Sequence, residues 1–248
     1  VDIAVIEVGL GGRLDSTNII TPEVSVITNI GYDHMQFLGE TLPEIAFEKA
    51  GIIKHKVPVV IGEYQKEVFQ VFEKIAKEKS APLFLASNND NNAYESDLKG
   101  SYQIHNIKTV LQTIEVLKKK GFVISEKNIK NGLQKVVKNT GLLGRWQVLN
   151  ERPKVICDTA HNAEGLRYVL KQLQEEKFDQ LHIVFGVVND KDLASILPLF
   201  PKNAIYYFCK PNIPRGLDAY ELKQHCTKFQ LMGEAYESVD IAYKTAFS

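Results

Sequence analysis

Short apolar, β-branched runs recur along the chain at 2–8, 24–30, 57–62 and 82–86, and again at 154–158, 181–187 and 204–209, with helical patterns between many of them. That alternation restricts the fold more than any other feature, because strand then helix, repeated, builds a mainly parallel α/β sheet. Val68, Phe69, Phe72, Ile75 and Ala76 share one face of a helix expected over 65–79. Ile107, Val110, Leu111, Ile114 and Leu117 do the same over 106–119. A Lys-rich helix expected over 125–138 ends at the glycines of Asn139-Thr-Gly141-Leu-Leu-Gly144-Arg145, where a second strand–helix series begins. Two domains are therefore expected, 1–140 and 141–248. The run from Ser87 to Tyr94, rich in asparagine, reads as a surface loop.

Composition narrows the function classes. Lys+Arg and Asp+Glu are equal at 30 each, so no surface of the chain as a whole seeks polyanions, and nucleic acid is not an expected partner. No apolar run reaches the roughly 18 residues of a membrane span, so no membrane partner is expected either. Cys157, Cys209 and Cys226 are odd in number and lack metal or redox spacing; they read as reduced, mostly buried thiols of a cytoplasmic protein. The chain opens on Val rather than Met and stops inside a helical pattern, which reads as a piece of a longer protein.

Three turns carry the chemistry. The first expected strand runs into Glu7-Val-Gly9-Leu-Gly11-Gly12-Arg13-Leu-Asp15-Ser-Thr17-Asn18. Ligands gather where buried parallel strands end, and a carboxylate placed there needs a cation or hydrogen-bond donors. Glu7 therefore points to a metal, or more simply to an ion pair with Arg13. The second expected strand empties into Asp33-His34 on the same sheet edge, where imidazole and carboxylate together suit a divalent ion; a lone loop histidine is otherwise structural. Lys49, in the amphipathic helix that follows, reads by itself as a solvated lysine paired with Glu44 or Glu48. In the second half, Cys157-Asp158-Thr159-Ala160-His161-Asn162 repeats strand, polar turn and helix, with Asn162 near an N-cap and Asp158 as either a turn former or a site residue.

With five motifs in order and at family spacing, the sequence resembles the folylpolyglutamate synthase and dihydrofolate synthase family, relatives of the Mur peptide ligases. The motifs are Glu7-x-Gly9-x-Gly11-Gly12-Arg13-x-Asp15-x-Thr17-Asn18, Asp33-His34 with Leu38-Gly39, Glu48-Lys49-Ala50-Gly51, Leu143-Gly144-Arg145, and Asp158-x-Ala160-His161-Asn162. The resemblance implies a Mur-ligase-like central domain without its phosphate-loop part, followed by a Rossmann-like α/β C-terminal domain. It implies ATP-driven ligation of L-glutamate to dihydropteroate, to folates, or to both, through an acyl phosphate.

Carried over residue by residue, Glu7, His34 and a carbamylated Lys49 would hold one or two Mg2+, with K+ a further candidate cation. Leu14, Asp15 and Ser16 match the segment that contacts the pterin. Asn106 matches the adenine-side contact. Arg145, Asp158, Thr159, Ala160 and His161 match ATP contacts, with His161 also near the incoming glutamate and, like Lys49, catalytic. The family's Gly-Lys-Ser/Thr phosphate loop is not in this sequence, and Thr159 and Leu143 replace the more usual Gly and Pro. The chain alone is therefore expected to be inactive, and the family suggests a monomer. Another Mur-like ligase with a different carboxylate substrate, or a nucleotide-binding remnant without catalysis, are the alternatives.

Overall fold

The computed structural model describes residues 2–86 and 94–248, so all of the asparagine-rich loop except Tyr94 lies outside the described residues. The contacts divide the chain into two compact units, Val1–Leu143 and Gly144–Ser248.

In the first unit, β1 (Ser25–Ile27), β2 (Val59–Ile61) and β3 (Leu83–Leu85) form a parallel sheet in that order. Parallel neighbours need long crossovers, here α1 (Met35–Leu38) with α2 (Leu42–Ala50), then α3 (Lys66–Glu78). Central β2 is buried on both faces, which is why it reads as unbroken apolar sequence rather than as an alternation. Val59 and Ile61 enter a core with Ile27, Ile45 and Ala46 of α2, and Val68 and Phe72 of α3. Val60 faces the other way, against Ala86 and Val116 of α4 (Gln103–Lys119). Thr41 and Glu44 start α2 with a reciprocal capping box.

Two expectations change. The helix expected over 125–138 is broken at Lys135 into α5 (Glu126–Gln134) and α6 (Val136–Thr140). The Asp97 carboxylate accepts from the amides of Val136 at 3.1 Å and Val137 at 3.0 Å, which satisfies donors that the break releases. The larger change is at 2–8, where no strand forms and Val5 is 94% exposed. A strand needs a ladder partner, and among the described residues β1 pairs with β2 alone.

In the second unit, β4 (Gln147–Glu151) and β5 (Lys154–Cys157) form an antiparallel hairpin with an irregular register between Val148 and Asn150. The strand expected at 154–158 is therefore paired with an unanticipated neighbour rather than with a parallel one. A parallel sheet follows in the order β6 (His182–Phe185), β7 (Ile205–Cys209), β8 (Gly233–Tyr236). Tyr206 and Phe208 of β7 pack with Leu166 and Leu170 of α7 (Ala163–Gln174) and Leu222 of the helix Ala219–Lys228. Tyr207 and Cys209 pack on the other face with Ala242. Strand β8 escapes a hydrophobicity reading because Gly-Glu-Ala-Tyr is half polar, yet any Cβ on Gly233 would lie 1.9 Å from the Tyr206 carbonyl oxygen. The three cysteines are free, Cys209 and Cys226 fully buried. No helix among the described residues is long and apolar enough to cross a membrane.

Phe72 is 1% exposed at the contact of α3 with the sheet. Phe72→Ala is expected to destabilise this unit by about 3–5 kcal/mol through lost burial and a residual cavity, seen as faster amide hydrogen exchange at Val59, Val60 and Ile61. Unchanged exchange there would contradict the packing.

Candidate functional site

The glycine-rich turn sits directly on the C-terminal end of α2. Gly12 and Gly51 make this possible: a Cβ on Gly51 would lie 2.3 Å from Arg13 Cα, and one on Gly12 would lie 2.9 Å from the Lys49 carbonyl oxygen. The Arg13 amide donates to the Glu48 carbonyl at 2.8 Å. The Arg13 guanidinium donates to the Glu48 carboxylate at 3.0–3.2 Å. Asn18 Nδ2 joins the carbonyls of Arg13 (3.1 Å) and Gly51 (3.0 Å). Arg13 is thus paired with Glu48, not with Glu7.

Asp15 organises the same turn. Its carboxylate accepts from the Thr17 hydroxyl at 2.5 Å, the Thr17 amide at 2.9 Å and the Leu10 amide at 3.0 Å. These bonds, the Thr17 hydroxyl foremost, hold its pKa down to about 2. Leu14 is 79% exposed and Ser16 is exposed, so the neighbours of Asp15 face outward while its own carboxylate serves the backbone.

Of the metal-site candidates, Glu7 is exposed beyond any strand. His34 is exposed, precedes α1 with left-handed backbone (φ 50°), and lies 3.8 Å through Nε2 from Asp33 Oδ1. Such backbone costs a non-glycine residue energy and concentrates at functional positions. Lys49 is half-buried. Burial pushes its amine below the ordinary lysine range, against the Asp33 carboxylate, which favours the charged form. Among the described residues neither simple partner is joined to Lys49: Glu48 holds Arg13, and Glu44 Oε2 accepts from Thr41 and the Glu40 amide. Among the described residues no three His, Cys, Asp or Glu side chains converge as a metal cage. The candidate set has only two such groups, and Lys49 becomes a third ligand only as a carbamate.

Asn106 is exposed on α4, its Nδ2 donating to Gln103 Oε1 at 2.9 Å. The preceding residue, His105, has Nδ1 3.7 Å from Glu63 Oε2, in the segment leaving β2.

In the second unit two turns lock together. Asp158 accepts from the Trp146 amide at 2.6 Å and the Ala160 amide at 2.8 Å. Thr159 donates its amide (3.0 Å) and hydroxyl (3.1 Å) to the Gly144 carbonyl. Arg145 Nη1 donates to the Thr159 hydroxyl and, at 3.3 Å, to the Gly144 carbonyl. A Cβ on Gly144 would meet the Thr159 methyl at 2.6 Å, so the threonine fills space that the glycine leaves open. His161 Nδ1 lies 3.1 Å from the Thr159 carbonyl; a carbonyl only accepts, so Nδ1 carries the proton. Asn162 caps α7 through the Gly165 amide at 2.9 Å. Arg145, Asp158, Thr159, Ala160 and His161 are therefore brought together in one element.

Sequence reasoning missed the supports: Glu48 for Arg13, Thr17 for Asp15, and Trp146, buried with left-handed backbone (φ 46°), for Asp158. The Asp-x-Thr spacing of 15–17 is a turn signal that could have found Thr17.

Residues 1–152 match the Mur ligase middle domain, and residues 144–248 match the Mur ligase, glutamate ligase domain. The dihydrofolate synthase/folylpolyglutamate synthase of Escherichia coli (strain K12) is 32% identical over 260 residues, covering 100% of this chain and 59% of that protein. The solved structure of E. coli FolC in complex with DHPP and ADP is similar at a TM-score of 0.81 and 30% identity, covering 97% of this chain and 59% of that one. A bifunctional folylpolyglutamate synthase/dihydrofolate synthase with Mn, AMPPNP and L-glutamate bound matches at 0.76 and 28%, with 97% and 59% covered. The chain thus spans about three-fifths of the length of these relatives.

The Asp15 carboxyl should titrate near 2 when followed by carboxyl 13C chemical shift. A depressed folded value stabilises the turn fully above the ordinary aspartate value of about 3.9 and loses that contribution as pH falls from there through about 2. Asp15→Asn should remove this acid dependence and speed hydrogen exchange of the Leu10 and Thr17 amides; an ordinary titration of Asp15 would contradict the assignment.

Proposed function

This chain belongs to the folylpolyglutamate synthase/dihydrofolate synthase branch of the Mur ligases, and from that premise we propose that the full-length protein is an ATP-dependent, ADP-forming ligase. It joins L-glutamate to dihydropteroate, to folates, or to both. The observation that carries the reading on this chain is Lys49, half-buried, with its amine pushed towards neutrality and with Glu44 and Glu48 held by other groups.

A neutral amine is what carbamylation requires. The Lys49 nitrogen lone pair attacks carbon dioxide, an N–C bond forms, one C–O π pair moves to oxygen and the ammonium proton leaves to water, giving a carbamate anion. Glu7, His34 and that carbamate would hold Mg2+, or two ions, with K+ a further candidate. Bound magnesium supplies charge neutralisation at ATP phosphates. The donor chemistry fits, since the two anionic oxygen donors suit a hard divalent ion that keeps several waters, with His34 as the single nitrogen ligand.

The remaining residues orient the reactants. The exposed Leu14 and Ser16 flank Asp15 as the pterin-side contact, and Asp15 shapes the turn through its hydrogen bonds. Asn106 serves the adenine side. In the Gly144–Asn162 element, Arg145 meets phosphate charge, Asp158 fixes the turn, Thr159 and Ala160 present it, and His161 stands near the incoming glutamate. The substrate carboxylate attacks the γ-phosphorus and ADP leaves. The glutamate amine then attacks the acyl carbon and phosphate leaves as the amide forms, with the amine's proton passing to solvent or to a base. Such chemistry depends chiefly on positioning and charge stabilisation. The free thiols support a reducing, cytoplasmic setting.

In the full-length protein, Lys49→Ala should lower glutamate-dependent ATP turnover by about two orders of magnitude or more, with little loss of fold and partial rescue by acetate or formate. Wild-type-like turnover in that variant would refute the carbamate role. Phosphate release triggered by a UDP-linked carboxylate but not by dihydropteroate or folates would assign the protein to a different Mur-type substrate.

A further inference from the structure

Lys49 and the turn at 14–16 belong to one mechanical element. Their connection runs through Glu48, the residue beside Lys49, and Arg13, the residue beside Leu14. The Arg13–Glu48 pair is doubly bonded, backbone amide to carbonyl and guanidinium to carboxylate. Asn18 ties the far end of the turn to Gly51, and Lys54 Nζ donates to the Asn18 carbonyl at 2.6 Å. Between these ties the two backbones touch at Gly12 and Gly51 with no side chain to act as a cushion. Asp15 fixes the inner loop of the turn to the Leu10 amide. A displacement of the turn is therefore transmitted to the last turn of α2, and a displacement of Lys49 is transmitted back.

We propose that the Arg13–Glu48 pair is a positioning latch that couples binding of the carboxylate substrate on the 14–16 turn to the placement and carbamylation of Lys49. The identity of the bound substrate rests on the ligase reading; the latch rests on the contacts. On this reading both act through Lys49 and the turn rather than on the reacting atoms. Because coupling between two binding equilibria is reciprocal, the factor by which carbamate at Lys49 strengthens substrate binding is the factor by which bound substrate favours carbamylation. The guanidinium also lies 5.9 Å from the Phe47 ring centroid, so Arg13 meets two consecutive side chains of α2. The pair is exposed enough (45% and 19%) for its strength to be modest rather than decisive for folding. A device whose loss shifts catalysis more than stability fits such a strength.

The test uses the full-length protein carrying Glu48→Gln, Arg13→Lys, or the exchanged pair Arg13→Glu with Glu48→Arg. Each single variant is expected to raise KM for the pterin carboxylate substrate roughly fivefold, the scale of one partly exposed charge-assisted pair, while KM for ATP and the unfolding midpoint stay near wild type. The 13C carbamate signal of Lys49 at fixed labelled bicarbonate should fall, hydrogen exchange at Leu10 and Thr17 should quicken, and the exchanged pair should recover at least half of each loss. The proposal is overturned if Glu48→Gln leaves amide exchange and carbamate occupancy as in wild type, or if all kinetic constants fall together in step with the unfolding midpoint. If the wild-type protein shows neither glutamate-dependent turnover nor carbamate, the ligase reading is what fails. The latch then stands or falls on whether Glu48→Gln changes Leu10 and Thr17 exchange and the rate at which Lys49 is acetylated.

Discussion

Everything in the first unit that bears on chemistry depends on β2 being buried from both sides. Val59, Val60 and Ile61 are at most 1% exposed, so the strand cannot slip by one residue without moving apolar side chains between two differently shaped cores. With β2 fixed, the exits of its parallel neighbours are fixed as well. The Gly62 amide donates to the Ile27 carbonyl at 2.8 Å, and the Gln65 side-chain amide both donates to and accepts from the backbone of Ile30, each at 2.7 Å. Gln65 thus extends the ladder by one side chain beyond the end of β1. The loop that carries Asp33 and His34 leaves from that anchored point.

Both units then use the same local device to shape a turn that carries candidate site residues. Asp15 accepts from the amide two residues on, at Thr17, and also from Leu10; Asp158 accepts from the amide two residues on, at Ala160, and also from Trp146. In each case one carboxylate closes its own turn and bonds a second segment, which is how aspartate competes with regular backbone structure. This changes the reading of both residues. An aspartate in a glycine-rich turn suggests a ligand, but in these turns the carboxylate serves backbone amides first, and the neighbouring side chains Leu14, Ser16 and Arg145 are the ones presented.

Strand and helix periodicity made the parallel sheets legible, because β2 and β7 are long enough in apolar sequence to announce themselves and α3 keeps Val68, Phe72 and Ala76 on one stripe. The motif glycines were legible as a turn and a helix stop, but that Gly12 and Gly51 bring the turn against α2 and Arg13 comes from the fold. What periodicity could not supply was pairing. Residues 2–8 have strand composition without a ladder among the described residues, whereas Gly233–Tyr236 has a ladder without strand composition. Partner choice for charges was equally hidden: Glu44, Glu48 and Glu7 are all plausible from spacing, and only the fold assigns Glu44 to Thr41 and Glu48 to Arg13.

That assignment gives Lys49 its chemical character. A lysine taken partly out of water loses hydration that only a counter-ion or loss of its proton can offset. The nearest carboxylates in sequence are occupied, and Asp33 offsets only part of the burial. Were the amine to become a carbamate, the sign of the problem would reverse: Asp33 would then face an anion, and the two negative groups would repel. On the proposed reading, carbamate beside Asp33 is favourable only together with cations, so modification of Lys49 and divalent-ion binding must be linked equilibria rather than successive independent events.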